Sequence, residues 1–162
     1  MANEVLLKLG TPLTWRDSSG DAVMTLQNLA AGAGRLGARV DLGAHPNPQH
    51  FLWQFVTQFE TAPAVGEAVE IYLFESDGTY ADAAVGTSDA ALTSGQKLNG
   101  KLIGVLIAQT TGTATDFIAS GRCIITQRYV SPGVWNASAG DNLENTANAS
   151  RLILTPLIEE IQ

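Results

Sequence analysis

Phe51-Leu52-Trp53-Gln54-Phe55-Val56-Thr57-Gln58-Phe59-Glu60 is the stretch that decides the fold of this chain. Phe51, Trp53, Phe55 and Phe59 fall at even spacing, interrupted only by Thr57. Successive side chains of an extended strand point to opposite faces, so the four rings share one face. Gln54, Gln58 and Glu60 share the other. The chain has five Phe, three Trp and three Tyr, and four of those rings sit in this one segment. It is predicted to be the central strand of a hydrophobic core.

On its N-terminal side, Gly43-Ala44-His45-Pro46-Asn47-Pro48-Gln49 reads as a loop, because two prolines exclude a helix or a central strand. Before it, Leu36, Ala38, Val40 and Leu42 alternate with Arg35, Gly37, Arg39 and Asp41, the pattern of a strand with one buried face. Gly32-Ala33-Gly34 precedes a strand pattern rather than a helix, so it is no dinucleotide fingerprint. Ala22 to Leu29 reads as a further strand, after a turn at Asp17-Ser18-Ser19-Gly20-Asp21. Residues 1–20 form an N-terminal extended segment, either a strand of the sheet or an arm reaching to a neighbour. In it Val5, Leu7 and Leu9 oppose Leu6 and Lys8. Residues 21–162 are expected to form a single β-sandwich domain.

On the C-terminal side, Ala68 to Glu75 returns as a strand with Val69, Ile71 and Leu73 on one face. The Glu70, Tyr72 and Phe74 face is mixed, which fits partial cover. Residues 76–100 are irregular and carry Asp77, Asp82 and Asp89 among glycines. Calcium takes about six to eight oxygens, and the spacing of a recognised calcium loop is absent, so a solvated loop is expected. Lys101 to Gln109 is apolar on both faces and is expected to be covered on both, by the N-terminal segment or another subunit. Thr113 to Ile125 gives one or two strands with a bulge or bend at Gly121. Arg128 to Trp135 is extended and broken at Pro132. Residues 137–148 read as loop. Arg151 to Leu154 is the last strand, ended by Pro156 before an apolar, acidic tail. About eight to ten short strands with no useful amphipathic helix make an all-β, antiparallel β-sandwich or jelly roll.

Composition narrows the function. A chain of 162 residues buries a full core without disulfides or metal. Charged residues are only 15%, which suits a turn-rich β protein or one packed against neighbours. The nine basic residues are scattered against sixteen acidic ones, so nucleic acid is not the expected partner. No run approaches the roughly 18 apolar residues of a membrane span. The N-terminus lacks a basic, then apolar, signal pattern, so synthesis in the cytoplasm is expected. Cys123 beside Ile124 and Ile125 reads as a small buried hydrophobe. His45 and His50 are the only histidines and no Gly-x-Ser-x-Gly elbow occurs, so neither a catalytic triad nor a zinc site is suggested. The expectation is a non-enzyme with no cofactor.

Asp21-Ala-Val-Met-Thr-Leu-Gln-Asn-Leu-Ala-Ala-Gly-Ala-Gly-Arg35, Val40-Asp-Leu-Gly43, Gln58-Phe-Glu-Thr-Ala-Pro63, Val69-Glu-Ile-Tyr72 and Arg128-Tyr-Val-Ser-Pro132 together resemble small virion proteins of tailed bacteriophages. The resemblance is to the capsid decoration or cement type and spans residues 21–156. It implies a jelly-roll core, a place on the outer capsid surface of the virion, the major capsid protein as partner, a homo-oligomer with a trimer favoured, and no catalytic residues. An apolar N-terminal segment and exposed aromatics serve such attachment, since interfaces are enriched in aromatics. The candidate interface is therefore Leu6, Leu7, Leu9, Trp15, Tyr129 and Trp135. The alternative is a carbohydrate-binding or tail/fibre adhesion module on a jelly-roll fold, with an exposed platform that includes Trp135.

Overall fold

The structure, a computed structural model, describes residues 5–43, 50–79, 86, 88–112 and 115–161. In chain order its elements are β1 (Val5–Leu9), β2 (Leu13–Arg16), β3 (Ala22–Val23), β4 (Gly34–Leu36), β5 (Val40–Asp41), β6 (His50–Thr57), β7 (Ala68–Ser76), β8 (Ala90–Leu92), α1 (Ser94–Lys97), β9 (Lys101–Ile107), β10 (Phe117–Ile124), β11 (Tyr129–Asn136) and β12 (Arg151–Ile161). They form two sheets. The first runs β10-β6-β12-β2-β3, with β1 also on β12. The second runs β8-β4-β11-β7-β9, with β5 also on β11. All pairings are antiparallel except β2 with β3.

Two strands are passes interrupted once: β1–β2 and β4–β5. When each pair counts as one pass and the short β3 and β8 are set aside, the sheets read 6-3-8-1 and 2-7-4-5. That is the strand order of a jelly roll, with two Greek keys folded face to face. The expected all-β sandwich is the observed fold.

The aromatic strand lies where its pattern put it. β6 sits between β10 and β12, and Phe51, Trp53, Phe55 and Phe59 are buried. They pack between the sheets against Ile71, Val134, Leu152 and Leu154. Phe59, one bridge beyond β6, meets Phe117 edge-to-face at 5.4 Å. Thr57 interrupts the ring series because its hydroxyl is needed there. It lies 2.6 Å from the Ser150 hydroxyl, and this buried pair satisfies both groups.

Several expected elements take a different form. The strand expected from Ala22 to Leu29 is ordered as strand only at Ala22–Val23. The Asp17 carboxylate accepts the N–H groups of Leu26 and Gln27, curling the chain into turns, and Leu26 and Leu29 still reach the core. The continuous strand expected over Leu36 to Leu42 is split at 37–39. A Cβ on Gly37 would meet Trp15 Cδ1 at 2.8 Å, so the backbone there passes over a buried indole. Gly121 is no bulge, because the β10–β6 register runs evenly through the Gly121–Trp53 pair. The register shift lies instead between Ile71 and Tyr72, opposite β9.

Neither proline breaks its strand. β11 passes through Pro132 and β12 through Pro156. In extended backbone a residue's N and C=O point to the same side. The Pro132 carbonyl accepts from Gly37 N, and the Pro156 carbonyl from Gly10 N. Each ring nitrogen therefore faces the one place where the neighbouring pass is interrupted, and no ladder donor is missed. As a result the last strand does not end at Pro156. The tail expected after it is the second half of β12.

Within residues 76–100, β8 extends the second sheet as an edge strand on β4, and α1 brings Lys97 against Glu70 and Trp135 on its outer face. Leu36, Tyr72, Phe74 and Leu92 form a small second core there, with Trp135 against it. Asp89 is not a calcium ligand in waiting: it holds Arg35 Nε at 2.7 Å and accepts from the Thr25 hydroxyl at 2.6 Å. Asp77 caps its own turn by accepting Thr79 N–H. Asp82 lies outside the described residues, as does His45.

Candidate interaction surfaces

The sandwich leaves two apolar surfaces open. The first is a ribbon. β1 pairs only with the far half of β12, from Leu9–Leu157 to Val5–Ile161. Pairing of β12 with β6 stops at Pro156–Phe51. From there the two strands run on as a two-stranded ladder. Leu7 and Leu9 are 63% and 60% exposed on one face, with Glu159 beside them. Lys8, Ile158 and Glu160 are exposed on the other. Lys8 Nζ stands 3.9 Å from Glu160, an open ion pair of little strength. The root of the ribbon is Gly10, where a Cβ would press on Ile158 and Pro156 at 2.9 Å. Leu6 lies in β1 opposite Glu160 in register.

The second surface is the narrow side where β9, the edge of one sheet, meets β10, the edge of the other. β9 was expected to be covered on both faces, by the N-terminal segment or another subunit, and within this chain it is covered on one face only. Leu106 is buried, while Leu102, Val105 and Ile107 are exposed. The N-terminal segment lies on β12 of the opposite sheet and so does not cover them. Ile118 and Ile124 of β10 are exposed as well. Ile107 and Ile118 line one depression, and Lys101 Nζ donates to the Ile124 carbonyl at 2.6 Å, so the two strands run alongside each other. Beneath them lies Trp53. A Cβ on Gly104 of β9 or on Gly121 of β10 would collide with its indole, so both strands are glycine where they cross the ring. Cys123 is buried close by, and burial pushes its thiol up to about 11, the reverse of an activated nucleophile.

The other expected interface residues are placed differently. Trp15 is core: it is fully buried, and its Nε1 donates to the Ala38 carbonyl at 2.7 Å. It lies in the segment that could have been a strand or an arm, and β2 is an interior strand, between β12 and β3. Tyr129 is half-buried, with Arg39 and Arg128 at 4.5 and 4.9 Å from its ring centre. Trp135 is half-buried with Lys97 4.5 Å from its ring centre. Both rings therefore carry the protein's own cations, which makes them poor platforms for a sugar. Lys97 also binds Glu70 at 2.7 Å, and Tyr72 donates to the same carboxylate at 2.8 Å. Burial, reinforced by Glu70, pushes the Tyr72 hydroxyl up to about 12.

Among the described residues no group of three His, Cys, Asp or Glu could hold a metal ion, and no helix is long and apolar enough to cross a membrane. The ribbon and the bare β9 face were partly readable from the apolar runs. Their exposure came only from knowing which strands lie beside them. No protein family and no curated protein sequence matches this chain.

Proposed function

We propose that this chain is a structural virion protein, a decoration or cement protein that binds the outside of a tailed-phage head and stabilises it. The observation that carries the reading is the ribbon. A two-stranded ladder with leucines exposed on it is marginal in water and gains from lying against another surface. The resemblance of its sequence phrases to phage virion proteins and the jelly-roll order support it, although many functions use that fold. In this reading the ribbon docks on the major capsid protein. The apolar β9–β10 side meets neighbouring copies in a homo-oligomer, with a trimer favoured.

The experiment uses capsids that lack the protein. Purified chain should bind them and raise their resistance to heat. A variant lacking residues 1–9 should keep the sandwich, since Trp15 and β2 remain, but lose binding. Capsids that fail to take up the full chain, or that gain no heat resistance from it, would refute the proposal. Light scattering of the free protein gives the oligomer, and a monomer that stays monomeric on capsids would remove the β9–β10 part.

A further inference from the structure

The nine basic side chains of this acidic protein divide unevenly. Lys8, Arg35, Lys97, Lys101 and Arg128 each pair with a carboxylate. Arg39 lies over Tyr129. The remaining three are Arg16, Arg122 and Arg151, and none has an ion pair or hydrogen bond among the described residues. Arg16 Nε is buried without a partner.

All three fall on one face. Gly121 and Cys123 turn toward the core, so Arg122 between them turns out. Leu152 turns inward, so Arg151, which pairs with Val56, turns out. Trp15 is inward, and Arg16, opposite Val23, is outward. The register that sets Leu152 against Trp15 continues to set Arg151 opposite Arg16. Like charges directly across a ladder repel, so this face is poised for an anion. No Asp or Glu occupies an outward position of β2, β6, β10 or the stretch of β12 before Pro156. The acids that flank these strands are engaged: Asp21 accepts Thr14 N–H at 2.8 Å, and Asp116 accepts from Gln58 at 2.6 Å.

The same face holds a groove of about 430 Å³, lined by Leu52, Gln54, Ser120, Arg122, Ile153 and Thr155 among others. We propose that it binds an acidic saccharide of the uronate class. Arg122 takes the carboxylate through its planar fork. Gln54, Ser120 and Thr155 exchange hydrogen bonds with ring hydroxyls, and Leu52 and Ile153 meet the C–H faces. Arg151 and Arg16, about 13 Å further along the strands, take a second acid of an extended chain. Two other polyanions fit less well. Single-stranded nucleic acid needs several rings to stack on, and the one ring at an outward position of these strands is the His50 imidazole at the start of β6. An acidic protein surface needs a broad apolar centre rather than a groove of this size. The proposal does not rest on capsid attachment.

The test is titration of the full-length protein with tetragalacturonate, with maltotetraose as the neutral control and an oligothymidylate as the competing polyanion. Amide shifts should cluster at Leu52, Gln54, Ser120 and Arg122. Arg122→Gln, at an exposed position that leaves the fold intact, should weaken uronate binding about tenfold or more, the size of one lost charge-assisted contact. Binding should also weaken with added salt. No uronate binding, equal binding by maltotetraose, tighter binding of oligothymidylate, or unchanged affinity in Arg122→Gln would each overturn it.

Discussion

Replacing Gly121 with alanine should destabilise the protein because of one ring. The new Cβ would stand 2.8 Å from Trp53 Nε1 and 3.0 Å from Cε2 and Cζ2. Ordinary contact between such atoms is about 3.5–4.0 Å, so one partner must move by roughly 0.5–1 Å. The indole has little room to retreat, because Gly104 closes on its far edge. Overpacking of this kind costs about 1–3 kcal/mol. Alanine is better than glycine in a strand by about 0.5–1 kcal/mol, which offsets part of the loss. A net loss of about 1–2 kcal/mol is expected. Urea unfolding followed by far-ultraviolet circular dichroism measures it, and Trp53→Phe supplies the control. The smaller ring vacates the site, so Gly121→Ala in that background should be neutral or slightly stabilising. The coupling between the two positions should be at least about 1 kcal/mol. If Gly121 were glycine for a bulge, alanine would cost the same in both backgrounds. Additivity within about 0.5 kcal/mol would refute the packing argument.

Phe55→Ala should lose about 3–5 kcal/mol in a urea melt, since the ring is fully buried between the sheets. A loss under about 1 kcal/mol would deny it a place in the core. Cys123 should resist a disulfide reagent at pH 8 in the folded protein and react at once in denaturant, because burial holds the thiol at about 11. The Arg128 guanidinium and Gly43 N–H hold the Asp41 carboxyl at about 2, against 3.8 ordinarily. Its contribution is therefore fully present above about pH 4 and is lost as pH falls toward 2. The melting-temperature gap between the native protein and Asp41→Asn should narrow steadily over that window, and a gap unchanged down to pH 2 would deny the pairing.

The period of the aromatic strand was readable because burial on one face leaves a period of two in the residues themselves. The class of fold followed from repeating that pattern with short turns between. Three things were not readable, for one reason. Pro132 and Pro156 looked like strand ends because a proline's missing N–H costs something only if a neighbour needs it, and the neighbours are β4–β5 and β1–β2, distant in sequence. Gly121 looked like a bend because the ring it accommodates belongs to β6. The apolar run at Lys101 to Gln109 looked doubly covered because apolar residues on both faces usually are. Here the outward residues stay bare, which no count of residues reveals. The three unpaired arginines were seen as scattered along the chain, and only the ladder register collects them on one sheet.

The two broad faces of the sandwich are treated unequally. Residues 76–100 cost the chain a long excursion, in which β8 extends the second sheet and Lys97 of α1 lies against its outer face. There Phe74 is fully buried outside the main core, with Gly100 and Gly133 shaped around its ring. Lys97, Glu70, Tyr72 and Trp135 seal the rest by pairing with one another. Among the described residues no second apolar cluster of that kind forms on the first sheet. Its outward side keeps three arginines without counter-charge and a groove between β6, β10 and β12. A protein that needed only a stable sandwich would gain from pairing those charges, as it pairs five others. Of the three, Arg16 has its Nε buried without a partner, which costs stability unless something else arrives to meet it. The ribbon at one end, the apolar side along β9 and β10, and this basic face are thus three separate surfaces on one sandwich. Each can be removed by substitutions that leave the Phe51–Phe59 core untouched.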